Sequence, residues 1–144
     1  MTKSDDAYRC FMGRFTCSAA VFSAFSDDLG LDPDTAKKIA CGFGAGISKT
    51  GNICGAVSGG VMVIGLKYGK THEGDDAATE KTRALTSQFI HAFTEKNGSI
   101  CCTELLGYDL SDPAAYASAQ KSGLFMTTCP ALVKDAADIL ERIL

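Results

Sequence analysis

The chain has 144 residues, 46% hydrophobic and 22% charged, with seven cysteines and a formal net charge of −3. That suffices for one domain, residues 1–144, with a core of its own, and without a basic excess nucleic acid is excluded as an expected partner. Cysteine at about 5% falls short of a disulfide scaffold, and residues 1–20 hold no unbroken apolar leader, so metal binding or redox chemistry in a reducing cytoplasm is the expected use of sulfur.

Ser4 to Met12 reads as a short helix stopped by Gly13. Thr16 is placed to cap a second, whose apolar face is Cys17, Ala20, Val21, Ala24 and Phe25. Asp32-Pro33 supplies the cap and first-turn proline of a third, using Ala36, Ile39, Ala40 and Phe43.

Seven glycines then stand between Gly42 and Gly60, marking turns or close backbone approaches. Val61-Met62-Val63-Ile64 suits a buried strand or a helix. No second strand-like run is there to satisfy its backbone, so Cys54 to Tyr68 is expected to be helical, with one nearly bare face at Gly55, Gly59 and Gly60. Its apolar stretch, Ile53 to Leu66, is 14 residues, against about 20 for a bilayer span. No membrane span is expected, although such a helix also suits a homodimer interface.

A long helix follows from about Asp75 to Lys96, with Leu85, Phe89, Ile90 and Phe93 on one stripe and Asn97-Gly98 ending it. Ser99 can cap a short turn through Cys102 to Leu106, stopped by Gly107. Asp112-Pro113 opens an alanine-rich helix towards Gln120. In the last segment Leu132, Val133, Ala136, Ala137, Leu140, Ile143 and Leu144 recur at helical spacing. Cys129-Pro130 is its expected start, with Cys129 at the cap. The expected fold is all-α, a compact bundle of about five to seven helices with a glycine-rich connection before a buried central helix.

Most familiar site motifs are missing. Gly42-Phe43-Gly44-Ala45-Gly46 follows no strand, and Gly46 to Thr50 lacks the glycine a P-loop carries before its lysine. Two histidines, His72 and His91, support no triad. Asp27-Asp28 and Asp75-Asp76 read as solvated helix-end charges. No C-x-x-C or C-x-x-C-H occurs, which removes the thioredoxin-type motif and covalent haem attachment.

The cysteines are left. Cys10 and Cys41 look like helix-face packing residues, and a bridge between neighbouring Cys101 and Cys102 would be strained. Cys17, Cys54, Cys102 and Cys129 instead each fall at an expected helix start, a setting that lowers thiol pKa.

The cysteine order and the run Cys54-Gly55-Ala56-Val57-Ser58-Gly59 resemble the C_GCAxxG_C_C family, labelled redox-active for its cysteines. The likeness runs from Phe15-Thr16-Cys17 through the Gly42–Gly46 segment and Cys102-Thr103-Glu104-Leu105-Leu106-Gly107 to Cys129. It implies that Cys17, Cys54, Cys102 and Cys129 are the family's four cysteines. Cys10, Cys41 and Cys101 lie outside the pattern. Similar helical domains occur in split-Soret type cytochromes, which combine haem with an iron–sulfur centre; only the latter suits a chain without a haem motif.

Three readings stand at this stage. In the first, the four cysteines hold an iron–sulfur cluster for electron transfer with an unknown redox partner protein. Helix ends would then offset the cluster's charge, and the bare face at Gly55 and Gly59 would give it room. In the second, the four are redox-active thiols that cycle through disulfides without metal, Cys54 or Cys129 attacking. In the third, they are inert or hold a structural zinc ion.

Overall fold

The computed structural model describes residues 2–144, and its regular secondary structure is helical, without strands, among those residues. Eight right-handed α-helices run in chain order: α1 Lys3–Met12, α2 Cys17–Ser26, α3 Pro33–Ala40, α4 Gly55–Tyr68, α5 Asp76–Asn97, α6 Cys102–Leu106, α7 Pro113–Lys121 and α8 Leu124–Ile143. Eight slightly exceeds the expected five to seven, although the short pieces at 102–106 and 113–121 coincide with segments expected to be helical. Among the described residues, no helix is long and apolar enough to cross a membrane.

The caps explain most boundaries. Thr16, Asp32, Asp75 and Asp112 each accept a backbone N–H of the helix they open, and Pro33 and Pro113 occupy first positions. Gly98 and Gly107 close α5 and α6 in the left-handed conformation.

The start of α8 departs from expectation. It begins at Leu124 after Gly123 and runs straight through Cys129 and Pro130. Proline removes the bond to the carbonyl four residues back, here that of Met126. Met126 is exposed, whereas Pro130 itself is buried against the core side of the helix. Cys129 is therefore inside a helix and caps nothing.

The main core gathers α1, α2, α3, α4, α5 and the later part of α8, around the fully buried Phe89, Phe93, Ile64, Val133 and Leu140. Each such side chain contributes about 1.5–3 kcal/mol on burial. Helix α4 is approached closely on two sides because two of its residues lack Cβ. A Cβ on Gly59 would come within 2.6 Å of the Ser18 carbonyl on α2, and one on Gly60 would overlap the Phe89 ring of α5.

A second, smaller core holds Cys102, Leu106, Leu110 and Ala119, with Tyr116, Phe125 and Cys129 packed against it. It belongs to α6, α7 and the first turns of α8. The two cores meet at the segment 44–54.

Candidate functional site

Between the cores lies a cavity of about 410 Å³, and Cys17, Cys54, Cys102 and Cys129 all line it. Two come from each side. Cys54 is buried in the main core and Cys17 packs against it; Cys102 is buried in the small core and Cys129 packs against that. The remaining wall is largely apolar, including Phe11, Leu105, Leu106, Leu110, Tyr116, Phe125 and Leu132.

Two local devices hold three of the sulfurs, and Cys129 is carried inside α8. Cys17 is the first residue of α2, after Thr16, whose hydroxyl accepts the Ala19 N–H at 3.2 Å. Its Sγ lies over Gly55, in the space a Cβ there would fill. Cys54 precedes α4 and Cys102 opens α6, and a short backbone zipper ties the two together. Cys54 N–H donates to Ile100 O at 2.7 Å and Cys102 N–H to Asn52 O at 2.6 Å, on either side of an antiparallel bridge between Ile53 and Cys101. The sequence shows no strand pair here because the pairing is one bridge long.

The wall nearest Cys17 is unusual backbone. Ala45, Gly46, Ile47, Ser48 and Lys49 all have positive φ, from 49° to 71°. Bonds from Ser48 N–H to Gly44 O (2.7 Å) and Lys49 N–H to Ala45 O (3.0 Å) make this one turn of left-handed helix. Left-handed conformation costs about 1–2 kcal/mol for each residue with a Cβ, and four of these five have one. Gly44, Ala45, Ser48 and Lys49 line the cavity. Lys49 Nζ stands 4.2 Å from the Tyr116 ring centre, and Tyr116 packs on Phe125 at 5.2 Å. Sequence reasoning missed Lys49, Tyr116 and Phe125; the density of glycine around 42–51 was the available signal.

The electrostatics reverse the expectation from helix starts. Burial pushes every cavity thiol above the ordinary range, with Cys102 and Cys129 each pushed up to about 12. Cys54 and Cys17 also rise, again through burial. The Cys17 charge adds to the rise at Cys54, Cys102 and Cys129, so the four act on one another. Backbone N–H groups of Ala45, Ser18 and Gly55 oppose the rise at Cys17 without overcoming it. Loss of hydration outweighs helix ends in this apolar space.

Of the other sequence candidates, Gly55 lines the cavity and Gly59 does not; Gly59 packs on α2. Cys10 packs on the main core, with Sγ 3.7 Å from Ser23 Oγ. Cys41 is exposed and does not pack as expected, because α3 ends before it. Cys101 lies outside the cavity wall, its thiol donating to Gly51 O at 3.3 Å. His91 meets Glu95 on the exposed face of α5 at 3.1 Å.

Among the described residues, no three Cys, His, Asp or Glu side chains converge closely enough to grip one ion. The four thiols surround a space instead. Such a donor set is soft and all sulfur, a chemistry shared by structural zinc and iron–sulfur sites.

Residues 15–143 match the family described as "Putative redox-active protein (C_GCAxxG_C_C)", and the chain belongs to that family. No curated protein and no solved structure matches it.

Proposed function

We propose that this chain is a single-domain cytoplasmic electron-transfer protein whose Cys17, Cys54, Cys102 and Cys129 hold an iron–sulfur cluster. One observation carries the reading: all four family cysteines line a single apolar cavity between two cores. An iron–sulfur group, when bound, takes up and gives back single electrons while its cysteine ligands stay in place.

The chain's own contribution is to hold and to tune. Four sulfurs delivered from separate elements fix position. The N–H groups of Ala45 and Gly55 that face Cys17 favour negative charge on its sulfur. The apolar wall keeps water away from the sulfurs and resists their ionisation until a cation is present to compensate. The same resistance disfavours the dithiol reading, whose attacking thiol must ionise near neutral pH.

The test is iron, zinc and acid-labile sulfide on protein purified without oxygen, with a visible spectrum alongside. Iron with sulfide is expected, lost on Cys17→Ser, Cys54→Ser, Cys102→Ser or Cys129→Ser and kept on Cys41→Ser. A colourless, metal-free protein whose thiols titrate in two-electron steps would replace this reading with the disulfide one. Zinc without sulfide would make the site structural.

A further inference from the structure

Near the left-handed turn, three large apolar side chains belong neither to the cavity wall nor to either core. Phe15, Phe43 and Ile47 are 43%, 37% and 43% exposed. Contacts among their neighbours place them together. Gly44, next to Phe43, packs on Thr16, next to Phe15. The Ser48 hydroxyl, next to Ile47, donates to Gly42 O at 2.8 Å.

The same face carries cations. Lys37 Nζ stands 4.3 Å from the Phe15 ring centre, and Arg14 is exposed beside Phe15. Residues 7–26 and 35–72 contain no Asp or Glu, although the whole chain has net charge −3. The carboxylate that does reach Lys37, Asp34, meets it at 4.0 Å and is itself 86% exposed.

We propose that this face is the docking surface for a small acidic electron-carrier protein, a role that rests on the redox reading above. Three features converge on that occupant. Exposed aromatic and aliphatic side chains ringed by charge are the anatomy of a protein interface, an apolar centre with a polar rim. Cations met only by the loosely held, exposed Asp34 carboxylate select an acidic partner and steer its approach, as transient small interfaces require. Finally, the small residues Gly44 and Ala45, which stand between Phe43 and Ile47 in the chain, line the cavity together with Cys17. Electron exchange needs a short path, so a partner gains most by binding here. Each exchange moves one electron, oxidising one protein and reducing the other.

The experiment is an NMR titration of the isotope-labelled full chain with a purified acidic ferredoxin and, separately, with basic cytochrome c. Amide shifts from the ferredoxin should centre on residues 14–15, 37 and 43–49. Affinity should fall about tenfold or more between 50 and 200 mM salt. Arg14→Glu with Lys37→Glu should weaken it at least as much, while Arg83→Glu on α5 leaves it unchanged; cytochrome c should not move these amides. Shifts elsewhere, no effect of charge reversal, or equal binding of cytochrome c or duplex DNA at the face would overturn the proposal. Iron content of the same samples separates the two ideas. Binding at the face without iron defeats the cluster alone, and iron without binding there defeats the docking surface alone.

Discussion

Cys17 Sγ occupies the space directly over Gly55 in which any other residue would carry its Cβ, with Ser18 N 3.1 Å and Phe43 O 3.2 Å from that same point. Sulfur, helix start and glycine are thus one unit. Gly55→Ala should displace Cys17 from the cavity and cost about 1–3 kcal/mol through overpacking. Urea unfolding of metal-free protein reads the stability, and iron retention reads the displaced sulfur. Full stability with full iron content would mean that the two residues are not coupled.

The Gly51 carbonyl accepts from Thr103 N–H (3.2 Å), Thr103 Oγ1 (3.0 Å) and Cys101 Sγ (3.3 Å). These donors flank Cys102 and hold it in the zipper with Cys54. Thr103→Val should cost about 1 kcal/mol and loosen metal retention, with Thr103→Ser restoring both. Cys101→Ala should keep its iron, whereas Cys102→Ala should lose it. Equal loss from the two cysteine variants would make Cys101 a ligand in its own right.

In metal-free protein the raised thiols set a pH dependence with a definite sign. Cys102 and Cys129 keep their protons up to about pH 12 when folded, whereas an unfolded thiol releases its proton near about 8.5. The folded chain therefore binds more protons through this window, and stability falls as pH rises, by up to about 1.4 kcal/mol per pH unit for each thiol. Below about pH 8 both states are protonated and the dependence vanishes. Denaturation midpoints between pH 7 and 11 measure it. Alkylation at pH 8 should label exposed Cys41 first and the cavity four last; a rapidly alkylated Cys54 or Cys129 would revive the nucleophilic-thiol reading.

Helix content was legible because capping is local. Thr16, Asp32-Pro33, Asp75, Asp112-Pro113 and the glycines at 98 and 107 each act within one turn. Pro130 misled for the same reason, since a proline at a first position and one inside a helix can share their neighbours in sequence. The four cysteines could be named but not gathered. Their meeting depends on a single bridge between Ile53 and Cys101 and on two cores closing against each other, both long-range. The left-handed turn was beyond local rules altogether, because Ala, Ile, Ser and Lys all disfavour it alone. The turn's own hydrogen bonds, the bond from Asn52 N–H to Gly46 O, and the close approach of Gly44 to Thr16 and of Gly46 to Cys102 hold it there.

That turn gives opposite signs for substitutions at neighbouring positions. Ile47 is β-branched at φ 67° and 43% exposed, so it bears backbone strain while leaving over two fifths of its surface to solvent. Ile47→Gly should relieve about 1–2 kcal/mol of strain against about 0.5–1 kcal/mol of added chain entropy in the unfolded state. A small net gain in urea midpoint is expected. The same variant removes an apolar contact from the docking face and should weaken ferredoxin binding, which would explain why a strained residue stands there. Gly46 has a similar φ of 64°, but a Cβ there would fall 2.6 Å from Asn52 N and 2.8 Å from Cys102 Cβ. Gly46→Ala should therefore destabilise by about 2 kcal/mol or more and disturb Cys102 with it. If Ile47→Gly destabilised the fold instead, the side chain would be making packing contacts that outweigh the strain, and the face would belong to the core.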